Sequence, residues 1–174
     1  MRKSIIFSLL ISGLFLSGCG YPPDWKTYSY PSAHFIIESP YPLKIESREN
    51  VIFAAENQSF NGFFRVGVAY GKNKLNMDLK SLTQLFAQAL GGQQKYKDFN
   101  VINKPTTLSN CPAMLTTGTL SFDNPLVKIK MLVVEKDDFL WALLVTYNSK
   151  NYFMTDGDIE SAATKIINSF KILN

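Results

Sequence analysis

The chain has 174 residues, 46% hydrophobic and 13% aromatic, which is enough apolar material for one globular core and too little chain for several. Its 18 Lys and Arg against 14 Asp and Glu give a net charge of +4, too slight an excess for the clustered basic surface of a nucleic-acid binder. One histidine and two cysteines leave few soft ligands for a zinc site, and neither a metal nor another cofactor is expected.

Arg2 and Lys3 precede the apolar run from Ile5 to Phe15, and small residues follow at Ser17 and Gly18. A basic start, a short apolar stretch and a small-residue cut site make a secretory signal. The run is short for a bilayer-spanning helix, which needs about 20 apolar residues. Leu16-Ser17-Gly18-Cys19 resembles the lipobox of bacterial lipoproteins. An ordinary signal peptide is the plainer alternative, but it has no need of a cysteine at the cut. The resemblance implies lipidation of the Cys19 thiol by diacylglycerol, cleavage before Cys19 and acylation, palmitate included, of the new amino group. The expected location is the cell membrane or outer membrane, on the periplasmic side of a Gram-negative cell. Gly20, in place of an aspartate, tilts such a cell toward the outer membrane. Each buried methylene contributes about 0.8 kcal/mol, so two or more chains anchor stably. Loss of residues 1–18 leaves 156, and without Arg2 and Lys3 the basic count falls to 16 against 14 acidic residues.

Residues 19–33 read as a lipidated cysteine followed by a tether, because Pro22, Pro23 and Pro31 interrupt any regular element. The rings of Tyr21, Trp25, Tyr28 and Tyr30 suit either the headgroup level of a membrane or packing back on the domain. Residues 34–174 read as a single α/β domain. Strands are expected at His34–Glu38, Leu43–Glu46, Val51–Ala55 and Phe60–Tyr70, with Gly62 and Gly67 marking a bulge or close approach. Leu79, Leu82, Leu85, Phe86, Ala89 and Leu90 form one stripe of a helix over 78–90, with Asp78 as N-cap and Gly91-Gly92 as its stop. Four further strands follow at Val101–Leu108, Ala113–Phe122, Leu126–Glu135 and Phe139–Tyr147. Pro105 points to an edge for the first of these, and Lys136-Asp137-Asp138 to a hairpin between the last two. The run from Phe139 to Val145 is apolar on both faces, so its sheet must be covered on both sides. Ile159, Ala162, Ala163, Ile166, Ile167 and Phe170 mark a last helix over 158–169, capped by Thr155 or Asp156.

Phe35-Ile36-Ile37-Glu38-Ser39-Pro40 opens the domain, and Val51 and Phe53 follow in a second strand. Asn110-Cys111-Pro112-Ala113 leads into a three-strand meander, and the chain closes on a helix running into Ile167-Asn168-Ser169-Phe170-Lys171. Over about residues 34–173 this order resembles the PsbP-like superfamily, which includes bacterial DcrB-type envelope lipoproteins. The resemblance implies an α+β fold, an antiparallel sheet with helices on both faces, and a small accessory module that binds a larger assembly. It implies no catalysis.

Candidate chemistry is sparse. A Ser-His-Asp triad would have to use His34, and the nearby Ser32 and Ser39 lack a nucleophile-elbow pattern. With Cys19 lipidated, Cys111 is the lone thiol. Its bland role is a small, partly buried apolar residue, and its sharper one a reactive thiol or a partner of His34. Thr155-Asp156-Gly157-Asp158-Ile159-Glu160 lacks the alternating ligands of a calcium loop and reads better as an acidic helix start. Asp137 and Asp138 read as a solvated turn. Gly91-Gly92 follows a helix instead of opening one, so it is no phosphate cradle. Lys72, Lys74, Lys80, Lys95, Lys97 and the pair Lys128 and Lys130 read as solvated surface, or as a face toward anionic lipid or a partner.

The function expected is that of a lipid-anchored, non-enzymatic accessory or scaffold protein that binds a membrane-associated protein complex in the envelope. Its partners are a membrane, through Cys19, and a protein; nucleic acid is not expected. The alternative is a binding module for a small apolar or lipid ligand, with Phe63, Phe64, Trp141 and Tyr147 lining a pocket.

Overall fold

The computed structural model describes residues 25–40, 42–46, 53–58, 64–73, 77–92, 98–121, 126–148 and 156–173. Cys19 and the signal segment lie outside them, as do Tyr21, Phe63, Lys74, Lys95, Lys97 and Thr155. The frame is a seven-stranded sheet, antiparallel throughout. Its strands are β3 (Lys44–Glu46), β4 (Phe53–Gln58), β5 (Phe64–Lys72), β6 (Asp98–Leu108), β7 (Cys111–Ser121), β8 (Leu126–Lys136) and β9 (Phe139–Asn148). They lie in the order β3-β4-β5-β9-β8-β7-β6.

Alternation along the central strands divides their side chains between two layers. Met131, Val133 and Leu140 face helix α1 (Leu79–Gly92) and pack with Leu82 and Ala87. Leu132, Val134, Trp141, Leu143 and Val145 face the opposite way and pack under helix α2 (Asp156–Ser169), against Ile159, Ala163 and Ile166. The two-sided apolar character of β9 therefore has the expected cause, one helix on each face.

At the start of α1, Asp78 caps as expected, accepting from the Ser81 N–H at 3.0 Å and holding its carboxyl below the usual range chiefly through the Ser81 hydroxyl. The stripe is rotated from the expected one. Thr83 is fully buried, its hydroxyl donating to the Leu79 carbonyl at 2.7 Å, while Leu85 is exposed. The helix also runs on through Gly92, so Gly91-Gly92 form its last residues and not a stop after it.

Two tight hairpins order the meander. Asp137 and Asp138 adopt φ values of 50° and 64°, and Ser109 and Asn110 adopt 51° and 62°. Left-handed residues in pairs match the right-handed twist of the strands they join, and Asn and Asp tolerate that region best. Pro105 sits in β6, the sheet's edge, where a missing N–H costs no ladder bond to a further strand.

The fold includes residues before 34, so Lys26–Ala33 of the stretch expected as a tether are folded. Lys26–Tyr30 form β1, paired antiparallel with β2 (Phe35–Ser39) through a 3-10 turn at Pro31–Ala33. The last strand, β10 (Lys171–Ile172), pairs with the other side of β2. Prolines here shape a turn instead of preventing structure: Pro31 opens the 3-10 turn and His34 leaves it at φ 53°. The resulting three-stranded sheet is locked to the rest by Trp141, whose indole N–H donates to the Ala33 carbonyl at 2.7 Å. Tyr30 adds a second lock. Its ring stacks on Phe35 at 4.8 Å, and its hydroxyl accepts from the Leu43 N–H at 2.7 Å. Burial is the main cause that pushes the Tyr30 hydroxyl pKa up.

Candidate functional site

Helix α2 has two stripes. The apolar one, from Ile159 to Ile167, is buried. The other carries Glu160, Ser161, Thr164, Lys165, Asn168 and Ser169, spaced by three and four, and with Glu38 of β2 it lines an open groove of about 630 Å³.

At one end of the groove Glu160 gathers four side chains. Lys130 lies 2.5 Å from one carboxylate oxygen, Lys128 lies 3.9 Å from the other, and the Tyr147 hydroxyl donates to that second oxygen. Thr164 accepts from Lys130 at 2.8 Å and donates to the Glu160 carbonyl at 2.7 Å. Burial acts most strongly on Glu160 and would raise its pKa, but the bonds from Lys130 and Tyr147 and the charges of both lysines outweigh it and bring the pKa below 4.5. Burial, then the adjoining carboxylate, push the Tyr147 hydroxyl far above its ordinary value.

At the other end, Lys165 pairs with Glu38 at 3.4 Å and sits 4.1 Å from the centre of the Trp25 ring. A cation over an indole face is a favourable electrostatic contact. Ser169 ties the helix to β2 beneath them, accepting from the Glu38 N–H at 2.9 Å and donating to the Ile166 carbonyl at 2.8 Å. The groove thus offers both signs of charge at an open surface, with each charged group held by a neighbour.

The residues singled out in the sequence fall elsewhere. His34 is exposed at the turn after Ala33, its ring 6.2 Å from that of Tyr70. Ser39 is buried at the far end of β2, five residues on, and Ser32 is exposed. Cys111 is half-buried at the β6–β7 hairpin, where Sγ lies 3.5 Å from the Ser109 carbonyl. Asp137 and Asp138 are a solvated turn, and Lys80 is exposed. Lys72 lies 5.7 Å from the Phe139 ring centre. Trp141 and Tyr147, expected to line an apolar pocket, belong to the core; both are buried, with their polar atoms bonded to Ala33 and Glu160. Among the described residues no three His, Cys, Asp or Glu side chains converge as a metal-binding group, and no helix is long and apolar enough to cross a membrane.

The site missed in the sequence is Glu160 with Lys128 and Lys130. A usable signal was present in two parts: lysines two apart on one strand face, and Glu160 with Thr164 one turn apart on the polar face of the last helix.

Laid over solved structures, the chain matches cyanobacterial PsbP (CyanoP) from Synechocystis sp. PCC 6803 at a TM-score of 0.61, over 89% of this chain and 97% of that one, at 9% identity. The fold is PsbP-like. LpqN of Mycobacterium tuberculosis, a protein involved in cell envelope biogenesis, aligns at a TM-score of 0.43 and 15% identity, over 90% of this chain and 82% of that one. The Pseudomonas aeruginosa protein PA94, described as of unknown function and a putative regulator, aligns at 0.40 and 10% identity, over 79% of this chain and 87% of that one. No family model matches the sequence, and no curated protein does. The PsbP-like order read from the strands and closing helix therefore holds at the level of fold, an α+β sheet with helices on both faces.

Proposed function

We propose that this is a lipid-anchored envelope protein whose PsbP-like domain is a non-catalytic module that docks on a membrane-associated protein complex. The observation that carries the reading is the packing of Trp25 on the core. Trp25 already packs on the core, six positions after the lipobox cysteine Cys19. Six residues span at most about 20 Å, so an acylated Cys19 would hold the domain directly at the bilayer. Such confinement raises the effective concentration of the domain toward any membrane partner without a new contact. A non-catalytic role is supported by the groove, whose titratable groups are engaged in fixed pairs, and by the separate locations of His34, Ser39 and Cys111.

Mild crosslinking in cells followed by affinity purification tests this. The full chain should bring down a defined set of membrane proteins and incorporate an alkyne analogue of palmitate. A Cys19→Ser variant should lose both. Recovery of the full chain alone, or unchanged recovery of partners with Cys19→Ser, would overturn the reading.

A further inference from the structure

We propose that the end of β1 at Trp25 and Lys26, with Lys165 beside Trp25, rests on the phospholipid headgroup layer, fixing the orientation of the domain on the membrane. The inference rests on acylation of Cys19 and goes beyond it, since an anchor alone leaves orientation free.

Geometry restricts the orientation first. A folded domain of about 150 residues has a radius of gyration of roughly 15 Å, so a diameter of roughly 40 Å. The chain from Cys19 to Trp25 reaches at most about half of that. The domain therefore cannot roll over to present the side opposite Trp25. The hemisphere centred on Trp25 is therefore the one beside the bilayer.

Chemistry then suits that surface to headgroups. Trp25 is half-buried, leaving part of an amphipathic ring at the surface, and such rings favour the membrane–water interface. Lys26 is exposed, and the side chains of Lys165 and Glu38 are 47% and 43% exposed, so all three remain accessible. Lys26 and Lys165 match the phosphate of a headgroup, and Glu38 matches the ammonium of phosphatidylethanolamine. The mixed groove along Ser161 and Asn168 continues the same polar character down the helix.

The chain's two tryptophans make the test direct. The acylated full chain is reconstituted on vesicles of phosphatidylethanolamine and phosphatidylglycerol, some spin-labelled at the headgroup. Trp25→Phe leaves buried Trp141 as the sole emitter, and subtraction from wild type isolates Trp25. Trp25 emission should be quenched several-fold more than that of Trp141. Replacing Lys26 and Lys165 by Gln should weaken that quenching while flotation with the vesicles persists. A chain whose mass shows acylation and which floats, yet leaves Trp25 no more quenched than Trp141, overturns the docking alone. A chain whose mass shows no lipid on Cys19 overturns the anchor and the docking together. Quenching unaltered by the double Gln variant overturns the part assigned to the lysines.

Discussion

Trp141 donates its indole N–H to the carbonyl of Ala33 at 2.7 Å, and by this bond the centre of the large sheet holds the turn of the small one. Both groups are buried, so neither has water as a substitute partner. Trp141→Phe keeps most of the apolar volume and orphans the carbonyl. The expected loss is about 1–3 kcal/mol, read as a lowered urea midpoint with an unchanged slope. An unchanged midpoint would mean that this bond adds nothing to the joining of the two sheets.

Ser169 performs a comparable task at the other end of β2. Ser169→Ala leaves the Glu38 N–H without its acceptor at the base of the groove. About 1–2 kcal/mol of stability should be lost. Hydrogen exchange should accelerate at Glu38 more than in β8 or β9, and uniform acceleration across all strands would refute a local role.

The Glu160 cluster contributes to the pH dependence of stability. The carboxyl has a folded pKa below its unfolded value of 4.5, so its contribution is present above that pH and is lost as pH falls through the folded value. Tyr147 has the opposite sense. Its pKa is raised from 10.0, so its contribution is present below about pH 10 and is lost as pH rises above it. Glu160→Gln should flatten the acid side of a stability–pH curve. The side chain is 42% exposed, so solvent screening limits the cost at neutral pH to about 0.5–1 kcal/mol. Tyr147→Phe should flatten the alkaline side instead. Identical curves for wild type and both variants would show that the cluster contributes nothing to folding.

Gly118 faces β6 with no room for a side chain. A Cβ there would lie 2.2 Å from the Asn100 carbonyl oxygen and 2.7 Å from Cγ1 of Val101. The first obstacle is backbone and cannot rotate away. Gly118→Ala should therefore cost about 1–3 kcal/mol and loosen β6 from β7, seen as a lowered melting temperature and faster exchange at β6 amides. A variant as stable as wild type would show that the edge strand yields freely.

Much of the frame was legible because it depends on local pattern. The two-sided apolar run of β9 required cover on both faces, and the acidic pair at Asp137 and Asp138 marked a turn that their positive φ values explain. Strand β1 was hidden because Tyr28 and Tyr30 stood beside Pro31, and a proline is as much at home opening a 3-10 turn as breaking a strand. The exchange of Thr83 for Leu85 on the buried side of α1 was hidden because the Thr83 hydroxyl is satisfied by its own helix, which removes the usual cost of burial. The groove was the least legible feature. Its pairs join residues far apart in sequence, Glu38 with Lys165 and Lys130 with Glu160, and periodicity says which face a residue occupies but not which distant residue it will meet.

Strand β2 has the first strand of the fold on one side and the last on the other. The contact between Glu38 and Ser169 spans 131 positions. Contacts of such separation form slowly, because the entropy of closing the long intervening chain must be lost before they are made. The small sheet accordingly stays incomplete on the ribosome until Lys171 and Ile172 have emerged.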